Sequence, residues 1–317
     1  MSIDDQLAEW GRGAQALALL DAAFAQGWIT FLAEPRDLAS LAKLSQQDPD
    51  RVRDVLGALV ANGIAVAESG RYRLAPDVAA AVAGDAPMDL GAKVANARLV
   101  ARQVENVVRT GAAPLTAQEA VVVARSFAFR AGPGSRAVVT MLFEPMPEMW
   151  EAMRDGRLLD VGSGVGGFVL TAATMLPGMR ATTLEVVPEV AAVAAARAKD
   201  LGVDDRIDVR CMDARDFVAA QAYDVAFWAQ PFFPADARAA TLATIRRSLR
   251  PGGLLLVQEL EAPSEGPGFA LRRLVAQAQG IPFARTIEDL VAECADAGFV
   301  DARVITSDFG RVALLTA

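Results

Sequence analysis

The 317-residue sequence contains no histidine, and this absence restricts its chemistry more than any other feature of the composition. Without histidine the chain can form neither a Ser-His-Asp nor a Cys-His catalytic unit, and it has no histidine general base. There are two cysteines, Cys211 and Cys294, too few for a disulfide framework and, without histidine, unable to supply a standard zinc site. We therefore expect no bound metal, and we expect both cysteines to be buried as small apolar residues.

Long hydrophobic runs and positive charge are also scarce. No apolar stretch reaches the roughly 18 residues that a membrane span needs. The first residues, Met1 to Asp5, have neither the basic start nor the apolar core of a signal peptide, so we expect a cytoplasmic protein without membrane contact. The formal net charge of −8 disfavours a nucleic-acid partner, because phosphate contacts need clustered positive charge.

The N-terminal region has the pattern of a winged helix. Apolar periodicity predicts three helices and a hairpin, near residues 14–28, 37–44, 50–61 and 64–74. That order is typical of DNA-binding domains, but residues 1–85 carry seven basic and twelve acidic residues, a net charge of −5. We therefore interpret residues 1–85 as a winged-helix-like dimerisation domain.

The rest of the chain divides into a helical connector, residues 86–154, and an α/β domain, residues 155–317. Helices are predicted at 89–110 and 135–153, the second broken near Pro145 and Pro147. From Arg157 onward, short apolar runs alternate with helical stretches, which predicts a Rossmann-like seven-stranded sheet, mostly parallel with a C-terminal antiparallel strand. The predicted strands lie near 157–161, 181–186, 207–211, 223–228, 254–259, 302–306 and 312–316. The predicted helices between them lie near 166–176, 188–201, 235–249, 267–279 and 286–297.

A glycine-rich turn follows the first of these strands. The strand 157–161 runs directly into Gly162-Ser163-Gly164-Val165-Gly166-Gly167 and then a helix. Glycine lets the backbone turn sharply and approach a ligand, and the helix start offers free N–H groups. The spacing also fits the dinucleotide pattern G-x-G-x-x-G, but Asp160 occupies a position that dinucleotide sites usually give to an apolar residue.

Three further features accompany the turn. Glu185 ends the second strand, where a carboxylate can accept hydrogen bonds from both hydroxyls of a ribose. Asp213 follows the third strand, beside the place expected for an adenine. The turn Arg250-Pro251-Gly252-Gly253 precedes the fifth strand.

In this order and spacing, residues 157–260 resemble a class I S-adenosylmethionine-dependent methyltransferase. The whole chain resembles a narrower family, the dimeric O-methyltransferases with an N-terminal winged-helix domain, because residues 286–299 are similar to that family's penultimate helix. The resemblance implies a homodimer, a small-molecule substrate held between the domains and capped by the connector, and S-adenosyl-L-methionine as cofactor. It implies cofactor contacts at Asp160, Gly162, Ser163, Gly164, Gly166, Glu185, Val186, Asp213, Ala214 and Trp228.

The sequence departs from that family at its catalytic histidine. The matching segment, residues 228–234, places Pro231, Phe232 or Phe233 at that position, and none of these can take a proton. Candidates for a replacement are Glu259, Asp236 and Gln230, with Glu261 nearby. Aromatic and sulfur side chains suggest an apolar wall for a planar or hydrophobic substrate. These candidate substrate contacts are Phe143, Met146, Trp150, Phe232 and Phe233, with Met149 beside them.

We therefore expect a methyltransferase of secondary metabolism that acts on an aromatic, polyketide-like or amino-acid-derived small molecule. Alignment of the acceptor beside the sulfonium would supply the rate, and the acceptor atom, O, N or C, stays open. One alternative is an enzyme that keeps the cofactor without transferring methyl, such as a cyclase, eliminase or decarboxylase. Another is a cofactor-sensing DNA-binding regulator, which the acidic N-terminal region disfavours.

Overall fold

The computed structural model describes residues 2–307 and 310–317. The N-terminal unit has four helices and a three-stranded antiparallel sheet in the order β1-β3-β2. Its elements are α1 (Ile3–Ala25), α2 (Trp28–Phe31), β1 (Arg36–Asp37), α3 (Leu38–Ser45), α4 (Pro49–Ala61), β2 (Ala65–Glu68) and β3 (Arg71–Leu74).

Local capping explains where these helices begin. The Ser2 hydroxyl accepts a hydrogen bond from the Asp5 N–H, and the Asp5 side chain accepts one from the Ser2 N–H, a capping box that starts α1 well before the predicted residue 14. Asp37 caps α3 as expected, accepting from Ser40 N–H at 2.8 Å. The helices close around a small core of their own, whose fully buried members include Leu32, Leu41, Val52, Leu56 and Leu59.

Helix α5 (Pro76–Val82) follows these elements and packs against the same N-terminal core. The helices of the connector are α6 (Leu90–Thr110), α7 (Ala117–Phe127), α8 (Pro133–Phe143) and α9 (Pro147–Arg154). The predicted break near Pro145 and Pro147 lies between α8 and α9, because proline at the first helical position suits a helix start and not a helix interior. Helix α7 is an additional finding, and a capping box between Thr116 and Glu119 defines its start.

The C-terminal part is a seven-stranded sheet with helices on both faces. Its strands are β4 (Arg157–Val161), β5 (Arg180–Glu185), β6 (Ile207–Cys211), β7 (Tyr223–Trp228), β8 (Leu249–Glu259), β9 (Val300–Ser307) and β10 (Gly310–Thr316). Its helices are α10 (Gly167–Met175), α11 (Pro188–Asp200), α12 (Ala235–Ser248), α13 (Pro267–Ala278) and α14 (Ile287–Asp296).

The strand order is β6-β5-β4-β7-β8-β10-β9, and β10 runs antiparallel to both of its neighbours. This arrangement confirms the predicted Rossmann-like sheet with one antiparallel strand near the C-terminus. The chain adds β5 and β6 on one side of β4 and then crosses over to add β7 and β8 on the other side. In such sheets the usual ligand position is the crevice at this switch point, which here lies at the carboxyl ends of β4 and β7.

The two cysteines differ in their exposure to solvent. Cys294 is fully buried on α14, as expected. Cys211 is exposed, which corrects the expectation that it is buried: β6 is the edge strand, and Cys211 is its last residue.

Helices α8 and α9 pack into one core with the sheet. Phe143 and Met146 are 3% and 0% exposed and lie in a cluster with Leu158 and Val169. Their burial corrects the expectation that they line the substrate, because they fill the space between these helices and the sheet. Trp150 is partly buried against the same cluster, with its ring 5.6 Å from that of Phe143.

In the described part of the chain, none of the helices is both long enough and apolar enough to cross a membrane.

We predict that Gly134 is required for the docking of α8. A β-carbon at this position would lie 1.9 Å from the backbone oxygen of Asp85, so Gly134→Ala should lower the free energy of unfolding by about 1–3 kcal/mol. The control is Gly13→Ala on α1, where the added carbon meets nothing within 4 Å and should stabilise the helix by about 0.5–1 kcal/mol. Urea denaturation measures both, and equal effects of the two substitutions would contradict the docking role.

Candidate active site

The glycine turn lies at the carboxyl end of β4. Gly162, Gly164 and Gly166 have φ angles of +76°, +56° and +73°, which side chains with a β-carbon adopt only under strain. The turn is fastened to the neighbouring strand, because the Gly162 and Ser163 N–H groups donate to the Leu184 carbonyl at 2.9 and 3.1 Å. The expected turn is therefore present, with its backbone folded tightly against β5.

Glu185 ends β5 beside this turn. Its carboxylate accepts hydrogen bonds from the Gly164 N–H at 3.1 Å and from the Val187 N–H at 2.9 Å. Burial raises the pKa of Glu185, although the hydrogen bonds from Val187 and Gly164 oppose that shift. The sequence thus placed this carboxylate correctly against the glycine turn.

Asp160 lies within β4, just before the glycine turn, and is 1% exposed. Burial, followed by the nearby Glu185 carboxylate, raises the pKa of Asp160 to about 8. Within residues 2–307 and 310–317, no group hydrogen-bonds the buried Oδ1 of Asp160 or the buried hydroxyl of Ser163. Two carboxyl groups and an unpartnered buried oxygen suit a ligand that brings positive charge and N–H donors, such as the amino-acid end of S-adenosylmethionine.

The end of β6 supplies the third predicted cluster. The Met212 N–H donates to the Glu185 carbonyl at 2.9 Å, which brings the segment after β6 next to β5. Asp213 binds the Arg215 guanidinium, with its Oδ2 2.7 Å from Nη2, and this pairing lowers the pKa of Asp213. Ala214 is buried and Val186 is 61% exposed at the same edge of the sheet.

The connector covers the glycine turn. A β-carbon built at Gly164 would lie 3.7 Å from that of Ala124 on α7, and one at Gly167 would lie 2.5 Å from the Phe129 nitrogen. Arg197 on α11 links the two parts, because its guanidinium donates to the carbonyls of Val165 and Phe129, each at 2.7 Å. Helix α7 and the segment after it therefore lie directly against the glycine turn.

Aromatic side chains face each other beside the turn. The rings of Phe127, the last residue of α7, and Phe232 lie 5.2 Å apart in an edge-to-face arrangement. Both remain exposed, at 48% and 42%. Phe233 lies over Gly162, since its ring carbon would be 2.7 Å from a β-carbon there. Phe127, Phe232 and Phe233 therefore form an aromatic group beside the glycine turn.

The loop that carries Phe232 and Phe233 is held by a buried arginine. Arg238, 2% exposed, donates to the Gln230 carbonyl at 2.8 Å, to the Gln230 side-chain oxygen at 3.0 Å and to both oxygens of Glu293. The Gln230 amide nitrogen donates to the Gln258 carbonyl at 3.0 Å. Gln230 is thus occupied by internal hydrogen bonds, which corrects its assignment as a candidate catalytic group.

The Trp228 indole packs against the same arginine. It is fully buried, the Arg238 guanidinium lies 4.7 Å from its ring centroid, and Phe233 contacts it edge-on at 5.7 Å. This burial corrects the expectation of a cofactor contact by Trp228, because its side chain belongs to the core under β7.

The other candidate bases are either bonded to other groups of the protein or exposed to solvent. Glu259 is 8% exposed and accepts a hydrogen bond from the Ile287 N–H at 2.6 Å, at the start of α14, with Arg311 beside it at 3.5 Å. Glu261 pairs with Arg272 at 2.5 Å, and Asp236 is exposed in the first turn of α12. Glu259 therefore caps a helix, and Glu261 forms a partly exposed ion pair.

Sequence reasoning missed Phe127, Arg197 and Arg238. The first lies on α7, whose start the Thr116-x-x-Glu119 pattern marks, so a search for capping boxes would have found the helix. No sequence signal distinguishes Arg197 or Arg238 from other helical arginines, because their partners are carbonyls and a carboxylate distant in the chain.

We predict that Asp160 makes the stability of the free protein pH-dependent. Its folded pKa of about 8 exceeds the ordinary value of 3.8, so its stabilising contribution is complete below the ordinary value and is lost as the pH rises toward 8. Asp160→Asn imitates the neutral acid and should become more stable than the unaltered chain as the pH rises from about 5 to about 8.5. Urea denaturation at both pH values measures this difference, and parallel pH profiles would contradict the assignment.

Comparison with known proteins supports the geometric description. Residues 158–253 match the methyltransferase-domain family. The uncharacterized protein YjhP of Escherichia coli K12 is 34% identical over 103 residues, which are 32% of this chain and 41% of that protein.

Solved structures show the same fold over nearly the whole chain. Human N-acetylserotonin methyltransferase in complex with S-adenosylmethionine superposes with a TM-score of 0.74 at 17% identity, covering 100% of this chain and 97% of that one. Mitomycin 7-O-methyltransferase superposes with a TM-score of 0.71 at 18% sequence identity, covering 99% of this chain and 97% of that one. The N,N-8-amino-8-demethyl-D-riboflavin dimethyltransferase of Streptomyces davawensis superposes with a TM-score of 0.63 at 19% sequence identity, covering 100% of this chain and 99% of that one.

The strand order, the glycine turn with its two carboxyl groups and the family match agree with one another. Together they identify residues 158–253, within the seven-stranded part of the chain, as a class I S-adenosylmethionine-dependent methyltransferase domain.

Proposed function

We propose that this protein transfers a methyl group to a small planar metabolite by alignment, without a histidine or other general base. The observation that carries the proposal is the pairing of a glycine turn with an exposed aromatic pair, Phe127 and Phe232, beside it. This arrangement supports a flat apolar acceptor beside the cofactor. The solved methyltransferases of similar fold, which act on small molecules by their names, support the same class of substrate.

The cofactor contacts follow from the positions around the turn. Glu185 would accept hydrogen bonds from the ribose hydroxyls of the cofactor, and Asp213 and Ala214 would lie beside its adenine, with Val186 at the same edge of the sheet. Asp160, Ser163 and the glycines surround the amino-acid end, where a positive ammonium would favour the ionised form of Asp160. When bound, the cofactor supplies an activated methyl group on a sulfonium. The protein's own contribution is to orient it and exclude water.

Alignment can account for much of the rate. Holding two reacting groups in line is worth about 7–11 kcal/mol in well-oriented intramolecular reactions. An amine, an enolate or an acidic phenol needs little proton removal before it attacks. The hydrogen bonds of Gln230 and Glu259 to other parts of the protein support a mechanism in which neither moves a proton.

We further propose that the protein works as a homodimer in the cytoplasm. The first turns of α1 present Ile3, Leu7 and Trp10 on one face, 62%, 54% and 58% exposed, and a second copy would cover them. The acidic charge of residues 1–85 favours this use of the winged-helix-like unit over DNA binding. The free thiols of Cys211 and Cys294 suit a reducing compartment.

We predict a dimer in light scattering, and a monomer or insoluble protein after deletion of residues 1–85, because the deletion uncovers apolar surface. A matched test is Trp10→Glu with Leu7→Glu, which should give a folded monomer whose circular dichroism is unchanged. A fully active soluble monomer after the deletion would contradict the role in dimerisation, and binding of duplex DNA at physiological salt would favour the regulator.

We predict that Glu259→Gln, Glu261→Gln and Asp236→Asn each reduce turnover by less than the roughly 10²–10⁴-fold expected for an essential base. The positive control is Glu185→Ala, which should weaken cofactor binding in calorimetry by about 1.5–3 kcal/mol, since two ribose hydroxyls lose a charged acceptor. Turnover is followed with radiolabelled S-adenosylmethionine and a panel of phenols, anilines and enolisable carbonyl compounds, which also identifies the acceptor atom.

The pH dependence of turnover distinguishes the mechanisms. Under alignment alone, the midpoint follows the acidity of the acceptor. A midpoint that stays constant across acceptors and disappears in one carboxylate variant would show a base and overturn the proposed mechanism. Cofactor binding with substrate conversion but without label transfer would favour the non-methylating enzyme.

A further inference from the structure

Asp160 and Thr183 lie side by side in the sheet. They are register partners on the adjacent parallel strands β4 and β5. Such partners lie about 5 Å apart and direct their side chains to the same face of the sheet. Asp160 is 1% exposed and Thr183 is 0% exposed, so the carboxyl and the hydroxyl are buried neighbours.

Both side chains carry an oxygen without a hydrogen-bond partner. Among the described residues, no group bonds the Asp160 Oδ1 or the Thr183 Oγ1, although both atoms are closed to solvent. Buried polar atoms are paired in the great majority of cases. A hydroxyl can donate to a carboxylate and can accept from a carboxylic acid, so it suits either form of Asp160. Thr183 is therefore a suitable partner for Asp160 at the neighbouring position of the sheet.

The elements on the other sides of Asp160 do not supply such a donor. Its register partner in β7 is Phe227, an apolar residue. Helix α10 packs on β5, and its Thr171 and Thr174 hydroxyls donate to carbonyls of their own helix. Ser163 also has an unpartnered hydroxyl, but it lies in the glycine turn and not in the register pair.

The charged groups around Asp160 oppose its ionisation or lie away from it. Glu185, two residues after Thr183 on β5, raises the pKa of Asp160, as does burial, which is the larger cause. Helix α10 has no ionisable residue. The charged residues of α8 and α9, whose apolar residues pack on the same face of the sheet, are all exposed: Arg136, Glu148, Glu151 and Arg154.

We propose that Thr183 is a positioning residue of the cofactor site, whose hydroxyl donates a hydrogen bond to the ionised Asp160 and holds this carboxylate for the ammonium group of S-adenosylmethionine. Hydrogen bonds to a charged acceptor are stronger than those between neutral groups, so the hydroxyl favours the carboxylate over the neutral acid. Thr183 thus acts through Asp160. This assignment rests on the proposed function, which places Asp160 beside the amino-acid end of the cofactor.

The first test is calorimetry of S-adenosylhomocysteine binding to the full-length protein at about pH 7. Thr183→Val removes the hydroxyl and should weaken binding about tenfold, whereas Thr183→Ser keeps the hydroxyl and should bind like the unaltered protein. The matched control is Thr182→Val. The Thr182 hydroxyl accepts a hydrogen bond from the Tyr223 hydroxyl at 2.9 Å on the opposite face, so this variant should lose stability but not affinity.

The second measurement is the number of protons released on binding, obtained from calorimetry in buffers of different ionisation enthalpy. The pKa of Asp160 is about 8, so the unaltered protein should release about half a proton at pH 8 when the ammonium group ionises this carboxyl. Thr183→Val raises the pKa further, and the release should approach one proton. A residue that only supports the fold would not change this number.

The third measurement is urea denaturation of the free protein at about pH 7 and about pH 9.5. Asp160 loses its stabilising contribution as the pH rises through its folded pKa, and a higher pKa extends that loss to higher pH. Thr183→Val should therefore lose more stability between the two pH values than the unaltered chain. The excess should vanish when Thr183→Val is combined with Asp160→Asn, which has no carboxyl to ionise.

Three results would overturn the proposal: unchanged affinity and proton release in Thr183→Val, equal losses of affinity in Thr182→Val, or the same excess loss of stability with Asp160→Asn. If the unaltered protein does not bind S-adenosylhomocysteine, the proposed function fails and the role of Thr183 toward the cofactor fails with it. The urea measurements still decide in that case whether Thr183 bonds Asp160, so the two failures are distinguishable.

Discussion

The left-handed backbone of the turn after β4 is the constraint on which the rest of the site depends. Because Gly162, Gly164 and Gly166 tolerate positive φ, the chain reverses within a few residues and its N–H groups reach Leu184 and Glu185. The absence of side chains at these positions also lets the connector and Phe233 approach closely. The connector, the end of β5 and Phe233 therefore all contact this one turn.

The carboxyl groups beneath this turn create the electrostatics of the site. Asp160 is buried without a partner for one oxygen, and its proximity to Glu185 disfavours a second negative charge. An ionised Asp160 therefore destabilises the free protein, and a ligand that carries positive charge would reduce this destabilisation. The ionisation of Asp160 thus links the affinity for such a ligand to the stability of the free protein.

A second network of hydrogen bonds holds the loop after β7. Arg238 bonds both oxygens of Gln230 and pairs with Glu293, so helices α12 and α14 hold the segment that presents Phe232 and Phe233. A buried pair of this kind adds little net stability but determines conformation, because breaking it leaves an unpaired charge. The loop is held by these contacts and is apolar at positions 231–233, where no side chain can take a proton.

The sequence by itself determined the architecture of the C-terminal part and the positions of Asp160, Glu185 and the glycine turn in it. Alternating apolar runs identified the strands within a few residues, and Asp160, Glu185 and the glycine turn were placed by the fixed geometry of parallel strands, whose carboxyl ends share one edge. Tertiary structure decided the burial of Phe143, Met146 and Trp228, the exposure of Cys211 and the partners of Gln230 and Glu259. Burial and hydrogen bonding of these side chains depend on segments distant in the chain, such as Arg238 for Gln230 and the edge position of β6 for Cys211, and a local pattern of residues does not encode such contacts.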